Sequence, residues 1–300
     1  MAAARRALTE LLDGAFMARL DGLDIRSRRL LRGGLRGERR SKRRGQSVEF
    51  ADHRQYVAGD DIRFLDWNIY GRLDQFFLKV FLEEQDLSLH ILLDASGSVA
   101  FGQPAKQRML LQLAAALAYV GLVHNNRVSI ATFADGLLAR LPGMRGRAYL
   151  PQLAEFLLAA PAEGFSDFDK ACRQLVQDRT GSGVTVVLSD FLFKEGYEAG
   201  LKRLLSDRYD LCALQVLSPQ EREPEFAGDL ALIDTEDGDI SEITATRALL
   251  ASYRRTLAAY VNGLNTFLTR RGALHVLTDS AQPVDRLVLT SLRKAQLVGN

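Results

Sequence analysis

The stretch Leu87-Ser88-Leu89-His90-Ile91-Leu92-Leu93-Asp94-Ala95-Ser96-Gly97-Ser98 decides the fold. A short, mostly apolar run that ends abruptly at a carboxylate reads as a strand covered on both faces, followed by a polar loop. A helix is expected next, with Pro104 suited to its first turn. It runs to about His124 and is apolar over a wide face at Leu110, Leu113, Leu117 and Val120, as a helix packed on a sheet should be. The same alternation continues. Strands are expected at Arg127–Phe133, with Leu137–Leu141 as hairpin partner, then at Gly183–Leu188, Leu211–Leu217 and Leu274–Leu277. Helices are expected at Leu150–Leu158, Asp167–Gln177, Gly200–Leu205, Ala245–Arg271 (ended by Gly272) and Val284–Leu292. Asp234–Asp239 reads as a hairpin tip turned by Asp237-Gly238. Strands alternating with helices over residues 86–300 imply an α/β domain: a doubly wound, mostly parallel sheet with helices on both faces.

Upstream the pattern differs. Residues 1–44 read as an N-terminal helix, with apolar positions at Leu8, Leu11, Leu12, Phe16 and Leu20, followed by a basic arm. Residues 45–85 read as a small strand-rich module, with Val48 and Phe50 alternating with polar residues, a turn at Gly59-Asp60-Asp61 and an apolar strand at Phe76–Leu82. The chain has 300 residues, enough for one large core or two smaller ones. At 47% hydrophobic and 25% charged, its composition excludes a disordered or collagen-like chain. Net charge is only +2, which excludes a polybasic chain, yet residues 26–44 hold ten Arg or Lys against Glu38 alone. Two cysteines, Cys172 and Cys212, in apolar surroundings do not make a disulfide framework and read as core thiols. No signal-peptide run opens the sequence, and Met109–Val123 is too short to span a membrane, so the expectation is a cytoplasmic protein.

In open α/β sheets, ligands sit beyond the carboxyl ends of the strands, where strand order reverses. Two strands end there in an aspartate: one gives Asp94-Ala95-Ser96-Gly97-Ser98, the other Ser189-Asp190. A third loop, Gly164-Phe165-Ser166-Asp167, adds a hydroxyl and a carboxylate. All are hard oxygen donors, which suits Mg²⁺ or Mn²⁺. Imidazole sites are not expected, because His53, His90, His124 and His275 are scattered.

The D-x-S-x-S loop, a later Ser or Thr and a distal Asp resemble the metal-ion-dependent adhesion site of von Willebrand factor A-type domains. Residues from about 45 to 280 resemble, more specifically, the bacterial domain-of-unknown-function 58 family. The matching stretches are Glu49–Tyr56, Gly59-Asp60-Asp61-Ile62-Arg63 with Asp66-Trp67-Asn68, Lys79 with Glu84-Gln85-Asp86, Asp94–Ser98, and Ser189-Asp190-Phe191. The resemblance implies a von Willebrand factor A-like fold and a metal set of Asp94, Ser96, Ser98, Ser166 and Asp190. One coordination position would stay open for a partner's acidic side chain. Ser166 stands where the family pattern has Thr, so the hydroxyl is kept but the methyl that restricts its rotamer is gone. The resemblance also implies a partner, a MoxR-type AAA+ ATPase, with a role in maturing a client protein. The chain itself has no G-x-x-x-x-G-K-[ST] loop.

Other functions remain open at this point. A Mg²⁺-dependent phosphohydrolase would use Asp94 as nucleophile, but its acid/base two residues on would be Ser96, which cannot do that work near neutral pH. The basic arm of residues 26–44 could bind nucleic acid or an anionic surface through phosphates, though it lacks aromatics for base stacking. The charges of Gly59–Asn68 around Trp67 read either as a partner-docking surface or as an internal salt-bridge and hydrogen-bond network that fixes the small module against the sheet, the second being favoured. Asp234–Asp239 departs from a calcium loop in its glycine position and its missing closing glutamate.

Overall fold

The computed structural model describes residues 8–27, 49–57, 60–82, 87–225, 228–233 and 238–299. The chain divides into two units, residues 30–86 and the remainder.

The larger unit begins with the N-terminal segment. Asp13 caps helix α1 (Gly14–Leu20) by accepting from Phe16 N–H at 2.6 Å, which places the break between two helical pieces at Asp13-Gly14. Strand β1 (Asp24–Ile25) follows. The sequence reading set residues 1–44 apart. In the structure the described residues up to Ser27 cluster with the large domain instead, because Phe16 and Leu20 are buried and the segment's polar groups are tied to it. Tyr119 donates to Asp21 at 2.8 Å, Gln112 to the Leu11 carbonyl at 3.1 Å, and Ser27 to Asp210 at 2.8 Å. Residues 28–44 of the basic arm lie outside the described residues.

The smaller unit pairs strand β2 (Glu49–Gln55) antiparallel with β3 (Phe77–Leu82). Between them lies helix α2 (Trp67–Leu73), where the sequence reading expects only strands and turns. Asp66 starts it by accepting from Asn68 N–H and Ile69 N–H at 2.9 and 3.3 Å. The same carboxylate meets His53 at 3.0 Å and Lys79 at 3.4 Å, and Arg54 pairs with Asp60 at 2.8 Å. These ion pairs all lie within the smaller unit. Tyr70 stacks on Phe76 at 4.5 Å.

Strand β4 (Leu87–Asp94) is buried along its length, as its apolar run requires. Helix α3 (Lys106–Val123) follows, with Pro104 just outside it, before the N-cap Ala105. The chain continues through β5 (Arg127–Ala134), β6 (Gly136–Met144), α4 (Leu150–Leu158), α5 (Phe168–Asp178) and β7 (Ser182–Ser189). After these come α6 (Glu198–Leu204), β8 (Tyr209–Leu217) and α7 (Pro219–Arg222). Last are the hairpin β9 (Gly228–Ile233) and β10 (Ile240–Ala245), helix α8 (Arg247–Thr269) and β11 (Leu274–Asp279). The expected hairpin around Asp234–Asp239 is present as the β9–β10 pair, with residues 234–237 outside the described residues. Where one helix is expected at Val284–Leu292, Val284–Arg286 runs into a π-helical stretch, Leu287–Leu292.

Six strands form the main sheet in the order β11-β8-β7-β4-β5-β6. All neighbours are parallel except β5 and β6, the hairpin at one edge. Chain order runs outward from β4, to β5 on one side and β7 on the other, so the reversal lies at β4. One face packs under α3. The other carries a core of Leu92, Phe133, Phe168, Cys172, Phe191 and Leu201 with the last turns of α8. Both cysteines are buried. Helices α5 and α6 approach closely at Gly200, where a Cβ would stand 2.6 Å from the Phe168 ring.

Candidate functional site

The topology puts the ends of β4 and β7 side by side at the point of strand reversal. Asp94, the last residue of β4, is buried and receives three hydrogen bonds from neutral groups: Ser96 N–H at 3.0 Å, Ser96 Oγ at 2.7 Å and Ser189 Oγ at 2.6 Å. Ser96 Oγ lies 3.1 Å from Ser98 Oγ. The D-x-S-x-S loop thus gathers its carboxylate and two hydroxyls as alternation along one loop predicts, and Ser189 joins them from β7.

The Ser166 loop is tied to this one through its backbone. Gly97 N–H donates to the Gly164 carbonyl at 2.8 Å, and Glu163 N–H to the Ala95 carbonyl at 3.1 Å. Asp167, beside it, is spent on capping α5 through Lys170 N–H at 2.8 Å. The Ser166 hydroxyl is buried and has no hydrogen-bond partner. A buried hydroxyl of that kind costs roughly 1–3 kcal/mol unless something takes it up.

Asp190 is placed differently from the hydroxyl set. Its Oδ2 is 2.5 Å from Lys106 Nζ, and its Oδ1 accepts from Leu192 N–H at 3.0 Å. Lys106, fully buried in the first turn of α3, also pairs with Glu221. Glu221 in turn closes a capping box on Ser218, which lies just past the end of β8. Gln215 of β8 donates to the Asp190 carbonyl at 2.8 Å and meets His275 of β11 at 3.1 Å. One ammonium is therefore shared between two carboxylates, while the third, Asp94, is met by neutral donors. Burial, and then the negative charge of Asp190, push the Asp94 carboxyl up to about 7. The two attractive partners outweigh burial at Lys106 and raise its ammonium above the ordinary lysine value.

Sequence reasoning missed Lys106, Ser189 as a partner of Asp94, and Glu221. The signal for Lys106 was present: Lys106-Gln107-Arg108 puts cations at the positive end of a helix, a placement that the helix dipole disfavours.

The donors fit a hard divalent cation. Asp94, Ser96 and Ser98 supply clustered oxygens, Ser166 supplies an orphaned hydroxyl on an attached loop, and the local carboxylates exceed the local ammonium. Among the described residues no group of three or more His, Cys, Asp or Glu side chains is gathered so as to hold a metal ion, so the fit rests on one carboxylate and the hydroxyls.

With the site described, its relatives can be named. The chain matches the family described as protein of unknown function DUF58 over residues 52–263, and it belongs to that family. The uncharacterized protein Rv1480 from Mycobacterium tuberculosis is 26% identical over 253 residues, covering 83% of this chain and 80% of its own length. Among solved structures, the conserved hypothetical protein BatB from Bacteroides thetaiotaomicron aligns with a TM-score of 0.44 at 15% identity, over 69% of this chain and 98% of its own. A von Willebrand factor type A structure from Catenulispora acidiphila aligns with a TM-score of 0.39 at 12% identity, over 71% of this chain and 42% of its own. The fold is α/β: a mostly parallel sheet flanked by helices, with its crevice at β4. No helix among the described residues is long and apolar enough to cross a membrane.

Proposed function

We propose that this chain is a non-enzymatic protein-binding module that holds Mg²⁺ or Mn²⁺ on Asp94, Ser96, Ser98 and Ser166. The observation that carries this reading is the hydroxyl cluster on Asp94 together with the buried, unpartnered Ser166 hydroxyl on the adjoining loop. Asp190 is paired with the buried Lys106 ammonium, whereas Asp94 meets only neutral hydroxyl and amide donors, so the role of Asp190 is to add negative charge beside Asp94 and to anchor Lys106 rather than to ligate directly. When bound, the cation supplies a Lewis-acidic position for a partner's carboxylate. The chain's own contribution is to hold the ligands in register on two loops tied together by backbone hydrogen bonds.

The partner that follows from the family resemblance is a MoxR-type AAA+ ATPase, with a client protein delivered or released by ATP turnover in that partner. The phosphohydrolase alternative gains nothing from the geometry, because the position that an acid/base would occupy is Ser96, whose hydroxyl donates to Asp94.

The test is capture of the partner ATPase by wild type and by Asp94→Ala, each with Mg²⁺ and with EDTA. Wild-type capture should depend on Mg²⁺, and the variant should lose that dependence. Capture indifferent to both EDTA and the substitution would overturn the proposal.

A further inference from the structure

Charge is segregated along one stretch of the larger unit. Residues 228–246, which span the β9–β10 hairpin, hold six acidic residues and no lysine or arginine. Helix α8 follows at once with three arginines, no acidic residue and no lysine.

The hairpin has an outer face. Asp229 is the cross-strand partner of Thr244, and Ala231 of Glu242, so strand alternation puts Asp229, Glu242 and Ile240 on the same side. All three are exposed, Ile240 to 67%, while Ile243 and Ala245 on the opposite side are half-buried. Among the described residues the hairpin is a sheet of two strands only, which is marginally stable in water without something packed on it.

The helix has an outer face too. Arg247, Arg254 and Arg255 recur at helical spacing with Ala251 and Ala258 between them, and all five are exposed. Arg247 stands in the first turn, where the helix dipole favours negative charge and no acidic side chain is present. Among the described residues, Asp229, Glu242 and these three arginines enter no ion pair. The acidic face carries an isoleucine knob, and the basic face carries small residues that let such a knob approach.

We propose that these two faces join two copies of this chain about a two-fold axis, each hairpin lying on the other copy's α8. Asp229 and Glu242 of one copy meet Arg254 and Arg255 of the other, and Ile240 packs over Ala251. A two-fold interface is self-complementary, so a single surface must carry both halves of every contact, and this one does. A foreign partner would need an acidic and a basic patch at the same spacing; a second copy has them by construction. The dimer is separate from the Asp94 cluster and does not depend on the cation reading.

The test is sedimentation equilibrium of the full chain across a dilution series. Wild type should fit a monomer–dimer equilibrium whose dissociation constant rises at least about tenfold between about 0.1 M and about 1 M salt, because exposed ion pairs are screened together. That readout needs no variant to fold. Asp229→Lys with Glu242→Lys should be monomeric, and so should Arg254→Glu with Arg255→Glu, since each variant repels its own copies. Mixed in equal amounts the two should dimerise again, because each then offers the charge that the other lacks. A wild type monomeric at every loading, a dimer indifferent to salt or to charge reversal, or a mixture that stays monomeric would each overturn the inference. Growth beyond a dimer would overturn it as well, since a surface that closes on itself leaves nothing to extend.

Discussion

Lys106 Nζ lies 2.5 Å from Asp190 Oδ2, and the same ammonium pairs with Glu221, so one buried cation ties the start of α3 to the ends of β7 and β8. Removing one member of such a group leaves charge buried without its partner, which costs about 3–5 kcal/mol. Lys106→Met should therefore lower the unfolding free energy by about that much in urea denaturation. The double variant Lys106→Met with Asp190→Asn should recover part of the loss. A single variant within about 0.5 kcal/mol of wild type would show that the pair carries little of the site's architecture.

The Ser166 hydroxyl is the adjustable member of the proposed ligand set. Ser166→Thr restores a branched side chain with fewer rotamers, and it should raise Mg²⁺ affinity severalfold in calorimetry. Ser166→Ala should lower it. Equal affinities in all three proteins would remove Ser166 from the set.

His90 and His275 are both depressed to about 4 by burial. Their ordinary value near 6.5 applies once the chain unfolds. Between about pH 6.5 and pH 4 the unfolded state binds more protons than the native state, so the native state loses stability as pH falls through that window. Above it the contribution is fully present. Urea midpoints measured across pH 4–7 should decline toward acid, and His275→Gln should flatten the decline. An unchanged slope in that variant would mean that His275 titrates normally.

At Gly200 a Cβ would stand 2.6 Å from Phe168 Cδ1 and 3.1 Å from Cys172 Sγ. Gly200→Ala should overpack the contact between α5 and α6 and cost about 1–3 kcal/mol, read from the thermal or urea midpoint. A neutral result would show that the Phe168 ring has room to move.

Strand β4, its terminal Asp94 and the alternating helices were legible because each depends on local sequence: an apolar run, a carboxylate, a 3.6-residue period. The strand ends that follow from sheet order were legible through the same runs, and so the meeting of Asp94 with Ser96 and Ser98 was foreseeable from one loop. Helix α2 was not, since Trp67-Asn68-Ile69-Tyr70 are poor helix formers and only the Asp66 cap marks its start. Lys106 was missed for another reason. Its partners lie 84 and 115 residues away, and no periodicity reports a pairing of that range. The N-terminal segment clusters with the large domain through its buried apolar face at Leu11, Leu12, Phe16 and Leu20 and through pairing of β1 with Val298–Gly299; its own spacing shows that face but not what covers it.

The buried lysine also separates shape from occupancy. An ammonium fixed to the backbone cannot be chelated, diluted or exchanged, so the crevice floor stays assembled whatever salts bathe the protein. On the proposed cation reading, withdrawal of divalent ions would leave this scaffold intact and the chain folded.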